Sequence, residues 1–362
     1  MPLLTPLLTI LNLLLLLLHS PLPTCLASNH NDIPYYTLEE HWVSPALAPF
    51  LLQNHVIRAL NLGSRASQLL PEVGPLRLAS MDANNILIQT ISHVPVPEAL
   101  YLPNLTAQAN DQLAARIAAS PQPSRFRGFC ILPMGLPGAA AEELRRCVRE
   151  LGFVGALVDA LLPNRQAYDA PAYDELWEVA VKLDVPIYLH PTPPNPDEVF
   201  DVGAGLYAPA VPGEYSEYEA ASLGTWAWGW HERVGLSFIK MYLGGVFERF
   251  PGLQVVLGHM GELVPFFLDR TDRKVSGNRS VTFREVWGCN VYVTTSGMFS
   301  LDPMTTVLRT TDTKRIMYSV DWPLEFNEDG TKFMAELRSS GLVSEKEFED
   351  IAFKNAKRLL RI

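Results

Sequence analysis

The sequence predicts an α/β chain folded as a (β/α)8 barrel of the TIM type. Apolar runs alternate with amphipathic stretches along its length, giving eight expected strands mostly separated by helices. Four of those runs stop on side chains able to hold a metal or a proton: Glu39 with His41, then His190, His259 and Asp321. Strand ends so far apart in sequence meet easily when parallel strands close into a ring. In such a barrel the active site lies at those carboxyl ends.

The first strand is expected at 36–41, where alternation puts Glu39 and His41 on one face. Residues 45–70 carry Leu51, Leu52, His55, Val56 and Leu60 at helical intervals. The second strand is expected at 85–91, a helix at 109–119 before Pro121, and the third strand at 127–132. A helix over 139–151 has Glu142, Glu143, Arg145 and Arg146 on its wet side and ends at Gly152; the fourth strand, 155–159, follows. Another helix, 171–183, leads to the fifth strand at 185–190. There Tyr188-Leu189-His190-Pro191 ends an apolar run on a candidate ligand, as buried parallel strands do.

Residues 191–225 are proline-rich and punctuated by Tyr207, Tyr215 and Tyr218, and are expected to form a lid-like loop over the site. Trp226, Trp228 and Trp230 then alternate into a helix expected to run to 250. The sixth strand ends at His259, with a helix at 263–272, the seventh strand at 290–295, a helix at 303–309 and the eighth strand at 315–321. Helices at 331–339 and 344–360 finish the chain, the last opening on the capping pattern Ser344-Glu345-Lys346-Glu347.

With 362 residues, 48% of them hydrophobic, the chain can bury one large core, and a single catalytic domain is expected over 28–362. Net charge is −10 and no basic run stands out, which excludes the electrostatic footprint of a nucleic-acid binder and points to a small-molecule partner. Residues 1–27 read as a secretory signal peptide cut near Ala27, so the chain is expected to be secreted. The alternative is an uncleaved membrane anchor, although the apolar stretch 3–18 is shorter than the ~20 residues a span needs. Cys25 falls in the leader; Cys130, Cys147 and Cys289 permit one disulfide and imply none. Asn104-Leu105-Thr106 and Asn278-Arg279-Ser280 are glycosylation acceptors that suit a secreted glycoprotein.

Glu39, His41, His190 and Asp321 form a mixed oxygen and nitrogen set suited to one divalent ion, Zn²⁺ first, with Mn²⁺ or Mg²⁺ open. The fourth strand has no lysine to bridge a second ion. Singly, a histidine before proline or an aspartate at a strand end is usually structural. Four together at strand ends point to a metal site.

In family order the chain also carries Leu38-Glu39-Glu40-His41, Arg125-Phe126-Arg127-Gly128-Phe129, Gly152-Phe153-Val154-Gly155-Ala156 and Val185-Pro186-Ile187-Tyr188-Leu189-His190-Pro191. Gly245-Val246-Phe247-Glu248-Arg249-Phe250-Pro251, Leu257-Gly258-His259-Met260-Gly261-Glu262, Thr294-Thr295-Ser296-Gly297 and Ser319-Val320-Asp321-Trp322-Pro323 follow. Over about 36–360 the chain resembles the amidohydrolase-related decarboxylases that act on 2,3-dihydroxybenzoate, γ-resorcylate and aminocarboxymuconate semialdehyde. The resemblance implies the barrel of the metal-dependent hydrolase superfamily and loss of CO₂ from a hydroxylated aromatic acid such as 2,3-dihydroxybenzoate, making the chain a carboxy-lyase. It also implies a homo-oligomer, metal binding by Glu39, His41, His190 and Asp321, proton delivery by Asp321, and an acid/base pair of His259 with Glu262.

Three positions depart from the family pattern: Thr192 stands where many relatives have arginine, and Arg233 and Ser237 where many have glutamate and histidine. These positions are expected near the substrate. Two other functions are compatible with the same residues: hydrolysis of a lactone or amide by a metal-activated water, and non-catalytic binding of a phenolic ligand.

Overall fold

The computed structural model describes residues 33–362; the leader expected at 1–27 lies outside them. Contacts divide the chain into 1–33 and 34–362, and the second unit is the one described below. Its strands are β1 (Tyr35–Trp42), β2 (Ile86–His93), β3 (Phe126–Gly128), β4 (Ala156–Asp159), β5 (Ile187–His190), β6 (Val255–Leu257), β7 (Val291–Thr294) and β8 (Ile316–Met317). All pair in parallel, in the orders β1-β2-β3 and β4-β5-β6-β7-β8.

Backbone bonds join these two sheets at both edges. Past β3, the Cys130 amide donates to Gly155 O at 2.9 Å and the Leu157 amide to Cys130 O at 2.9 Å. Past β8, the Asp321 amide donates to Glu39 O at 2.9 Å and the His41 amide to Trp322 O at 2.6 Å. The result is a closed (β/α)8 barrel. Leu38, Phe129, Leu157, Tyr188, Val256 and Met317 fill its interior and pack against Ala356, Leu359 and Leu360 at the carboxyl end of the chain.

β1 contains one irregularity that matters for the site. Between Thr37 and Glu40 it spends three residues where β2 spends two, Gln89 to Ile91, which is a bulge. Leu38 can therefore join the core cluster while Glu39 and His41 turn toward the carboxyl end. Glu40 seals this seam: its carboxylate accepts from the Val320 and Trp322 amides and the Ser319 hydroxyl, at 3.0 to 3.1 Å.

Several helices differ from expectation. The run at 45–70 is three short helices, Ala48–Gln53, His55–Leu60 and Gly63–Leu69. Asn54 is extended and its side chain caps Ile57, and Asn61 is left-handed, so polar side chains end each turn. The expected loop 191–225 contains helices Pro196–Phe200 and Glu217–Gly224, each opened by a capping box, Asn195 with Glu198 and Ser216 with Glu219. The tryptophan-led helix is Gly229–Leu243, and left-handed Gly245 separates it from Val246–Arg249. Pro75–Ala83 and Phe283–Asn290 are helices that periodicity did not reveal.

Cys130 and Cys147 are joined by a disulfide, and Cys289 is free and exposed. Among the described residues no helix is long and apolar enough to cross a membrane.

Candidate active site

The six residues singled out from the sequence converge at the carboxyl end of the barrel. Glu39 and His41 come from the bulged end of β1, His190 from the last residue of β5, and Asp321 from the turn past β8. His259 and Glu262 sit just past β6, where His259, Met260, Glu262 and Leu263 all have positive φ. That left-handed backbone is costly for residues with side chains, and such strain collects at functional sites.

Ligand-type atoms of Glu39, His41 and His190 lie within 4.8 Å of one another. Asp321 joins them through Oδ1, 2.9 Å from His41 Nε2. Glu39 is held from behind: the Tyr188 hydroxyl donates to its Oε2, and the Thr294 hydroxyl does so at 3.3 Å. Gly258 leaves the room, because a Cβ there would stand 2.8 Å from Glu39 Oε2.

The unpaired atoms test whether a cation fits. Glu39 Oε1, His41 Nε2 and Asp321 Oδ1 are buried and have no hydrogen-bond partner, since His41 and Asp321 are close but not aligned for one. His190 Nδ1 lies 2.8 Å from the Pro191 carbonyl, which can only accept, so that nitrogen carries the hydrogen. Burial holds the His190 pKa below its usual value, opposed by Glu39, so the ring is neutral and its Nε2 lone pair faces Glu39 Oε1 at 3.3 Å. Lone pairs converging in a buried site call for a cation between them, and this mixed donor set fits a divalent one.

His259 is charged. Burial opposes its protonation, but Glu39, Glu262 and Asp321 outweigh burial and hold its pKa well above the ordinary value. Its Nδ1 meets Glu262 Oε1 at 2.8 Å and its Nε2 faces Asp321 Oδ2 at 3.7 Å. Against the penalty of burial, His259 and His231 keep Glu262 below the usual carboxylate range. His231 is a residue the sequence reasoning missed. It meets the other oxygen of Glu262 at 2.7 Å and the Trp226 carbonyl at 3.0 Å, so two imidazoles share one carboxylate. Its sole signal was its place at the end of the tryptophan stretch.

A cleft of about 590 Å³ opens over this cluster, lined by Asp321, His259, His231, Trp226, Trp230 and Glu325. Burial and the neighbouring Asp321 push the Glu325 carboxyl up to about 6. The three departures do not line this cleft. Thr192 Oγ1 accepts from the Ala160 amide at 3.0 Å and Ser237 Oγ donates to the Ala160 carbonyl at 2.7 Å, so both brace the turn after β4. Arg233 binds Glu198 and reaches the Tyr207 hydroxyl at 3.4 Å, tying the 191–225 segment to its helix. These positions are expected near the substrate; in the structure their polar atoms are engaged by backbone and by that segment.

An amidohydrolase family profile matches residues 96–362. The chain is 40% identical over 336 residues to decarboxylase orsB of Emericella nidulans, covering 91% of this chain and 97% of that one. It is 33% identical over 321 residues to γ-resorcylate decarboxylase of Polaromonas sp., covering 84% and 89%. The structure of 2,6-dihydroxybenzoate decarboxylase complexed with 2,6-dihydroxybenzoate matches with a TM-score of 0.74 at 28% identity, over 91% of this chain and 99% of that one. A dihydroxybenzoic acid decarboxylase from Polaromonas sp., with bound manganese and the inhibitor 2-nitroresorcinol, gives 0.74 at 29% identity over 91% and 97%. Family profile, relatives and superposed barrels agree, and the chain belongs to the amidohydrolase family, among its non-oxidative aromatic decarboxylases, which are carboxy-lyases.

Proposed function

We propose that this chain is a metal-dependent decarboxylase of a hydroxylated benzoic acid of the resorcylate type. The observation that carries the reading is the convergence of unpaired, buried donor atoms on Glu39, His41 and Asp321 beneath an aromatic-walled cleft, beside a protonated imidazole. The activities of the relatives support it. Glu39, His41, His190 and Asp321 would hold the ion. Bound there, it would withdraw electrons from the substrate's carboxylate and neighbouring phenolic oxygen and fix their position.

The chain's own groups supply the proton. His259 Nε2 faces Asp321 Oδ2 at 3.7 Å, and once the two close to hydrogen-bond distance a proton would pass from the imidazolium to the carboxylate and then to the ring carbon bearing the CO₂ group. The carbon–carbon bond then breaks, its electron pair restores the aromatic ring, and CO₂ leaves. Glu262 steadies the imidazolium before the transfer and holds the neutral ring through Nδ1 after it. Trp226 and Trp230 give the ring apolar walls and exclude water.

Manganese is the first ion to test because the Polaromonas structure holds it; zinc and magnesium complete the series. The test is CO₂ release from 2,6-dihydroxybenzoate, 2,4-dihydroxybenzoate, 2,3-dihydroxybenzoate and salicylate by metal-loaded protein, beside a His190→Ala control. Release abolished in the control supports the reading, and no release from any acid with any of the three ions sinks it. Turnover of a lactone or amide without CO₂ would make the chain a hydrolase, and phenol binding without turnover would make it a binding protein. On the composition of 1–27 alone the chain would enter the secretory pathway, which amino-terminal sequencing of protein recovered from culture medium checks.

A further inference from the structure

Glu262 has two carboxylate oxygens, and the proton path uses one of them. Oε1 meets His259 Nδ1 at 2.8 Å, while Oε2 meets His231 Nδ1 at 2.7 Å. A nitrogen and a carboxylate oxygen at that distance hold a hydrogen between them, and the two histidines keep Glu262 ionised, so His231 Nδ1 donates. The other nitrogen, Nε2, lies 3.0 Å from the Trp226 carbonyl, which can only accept, so it donates as well. His231 therefore reaches in two directions. One bond goes to the carboxylate that holds the general acid, the other to the backbone of the cleft wall.

The helix that carries His231 is built onto Glu262. Gly235 follows His231 by one turn and lies on the same helix face, and a Cβ there would stand 2.7 Å from the Glu262 carbonyl oxygen and 3.4 Å from Val264 Cγ2. Only a residue without a side chain lets the helix come this close. The His231 ring stands edge-on to that of His259, with centroids 4.9 Å apart. Glu262 is buried, so without His231 its Oε2 would lose its partner away from water and the carboxylate could turn from His259. We propose that His231 is a positioning residue for both proton delivery and binding. Its Nδ1 clamps Glu262, which aims His259 Nε2 at Asp321, and its Nε2 fixes the turn that sets Trp226 against the substrate's ring. The proposal rests on the decarboxylase reading for the reaction and on these hydrogen bonds for the clamp.

Two substitutions each keep one of the bonds. The amide nitrogen of asparagine falls where Nδ1 stood and that of glutamine where Nε2 stood, so His231→Asn preserves the bond to Glu262 and His231→Gln the bond to Trp226. In steady-state kinetics on the manganese-loaded protein, His231→Gln should lower kcat about 10- to 100-fold and leave KM within about threefold. His231→Asn should raise KM about 2- to 10-fold, the worth of one hydrogen bond, and keep a kcat at least about tenfold above that of His231→Gln. The second readout needs no turnover. In protein with isotope-labelled histidine, loaded with diamagnetic magnesium, nuclear magnetic resonance should show the His259 Nδ1 proton, identified by its loss in His259→Gln. That proton should be protected from exchange in wild type and His231→Asn, and lost to exchange in His231→Gln. Gly235→Ala forces the helix off Glu262 and should reproduce the kcat loss and the exchange of His231→Gln, which carries the test if that variant folds poorly. Equal kcat losses in the two His231 variants, or a His259 proton that stays protected in His231→Gln, overturns the proposal. The expected exchange pattern in a protein that releases no CO₂ keeps the clamp and sinks the decarboxylase reading. Release of CO₂ at unchanged kcat in His231→Gln does the reverse.

Discussion

Gly258→Ala tests whether Glu39 is a ligand held in place by its surroundings. The backbone at Gly258 has φ −71°, which alanine adopts freely, so the conflict is steric. An added Cβ would stand 2.8 and 3.0 Å from the two carboxylate oxygens of Glu39 and 3.0 Å from the Tyr188 hydroxyl. Carbon and oxygen in non-bonded contact keep about 3.3 Å, so Glu39 must retreat by roughly half an ångström. That is the limit within which a metal or catalytic constellation tolerates error, about 0.5 Å. Glu39 is fully buried with Tyr188 behind it, so a retreat from the new methyl group moves its carboxylate within the ligand cluster. Disturbing the support of a ligand typically costs 10- to 100-fold in metal affinity, about 1.4 to 2.7 kcal/mol. Titration of free Mn²⁺ by electron paramagnetic resonance should show that loss, and activity should return in part at saturating manganese. A folded variant that binds manganese as tightly as wild type would refute the argument, because Glu39 would then be either free to move or no ligand.

Tyr188→Phe removes the hydroxyl that donates to Glu39 Oε2 without adding bulk, and should raise the manganese dissociation constant about 10-fold while the unfolding midpoint moves little, as calorimetry would report. Glu40→Ala strips the acceptor from the amides of Val320 and Trp322 and from the Ser319 hydroxyl in a buried seam, and should lower unfolding free energy in urea by about 3 kcal/mol or more. His93 supplies a pH dependence. Its Nε2 accepts from the Ser44 amide at 2.8 Å, which requires the neutral ring, and burial pulls its pKa down to about 4. The unfolded chain therefore binds the extra proton more readily between about pH 6.5 and 4, and stability falls as pH drops through that window. Between pH 7 and 5 the loss from this residue should be about 2 kcal/mol, and His93→Gln should remove that part of the slope in urea titrations at the two pH values.

Strand ends were legible because burial and chemistry change there within one or two residues. Val185 to Leu189 is apolar, His190 is not, and the barrel places the change at its rim. The alternation of Glu39 and His41 put both on one face, as they are in the structure. The bulge that also frees Leu38 for the core is a relation between β1 and β2, and nothing within β1 announces it. The helices of 45–70 were misread for a different reason. Apolar spacing was correct for one long helix, but Asn54 and Asn61 offered the backbone other partners and won at those two points. Capping boxes at Asn195, Ser216 and Thr282 were present in the sequence and would have located helices missed there, had caps been weighed before composition.

What was not legible has a common physical form. Gly258, Tyr188 and Thr294 matter because of where Glu39 lies, and Glu39 is separated from Tyr188 by 149 positions. His231 matters because Glu262 has a second oxygen to satisfy, 31 positions later. Thr192 and Ser237 stand out in the sequence as departures from the family pattern, and only the fold shows that each spends its hydroxyl on the backbone of Ala160. A ligand set can be read from sequence because each ligand carries its own chemistry at a recognisable place. Its support cannot, because a glycine or a tyrosine has no special chemistry until the barrel brings a carboxylate against it. The wall of the cleft shows the same limit: Trp226 and Trp230 line it, and no motif piece contains them.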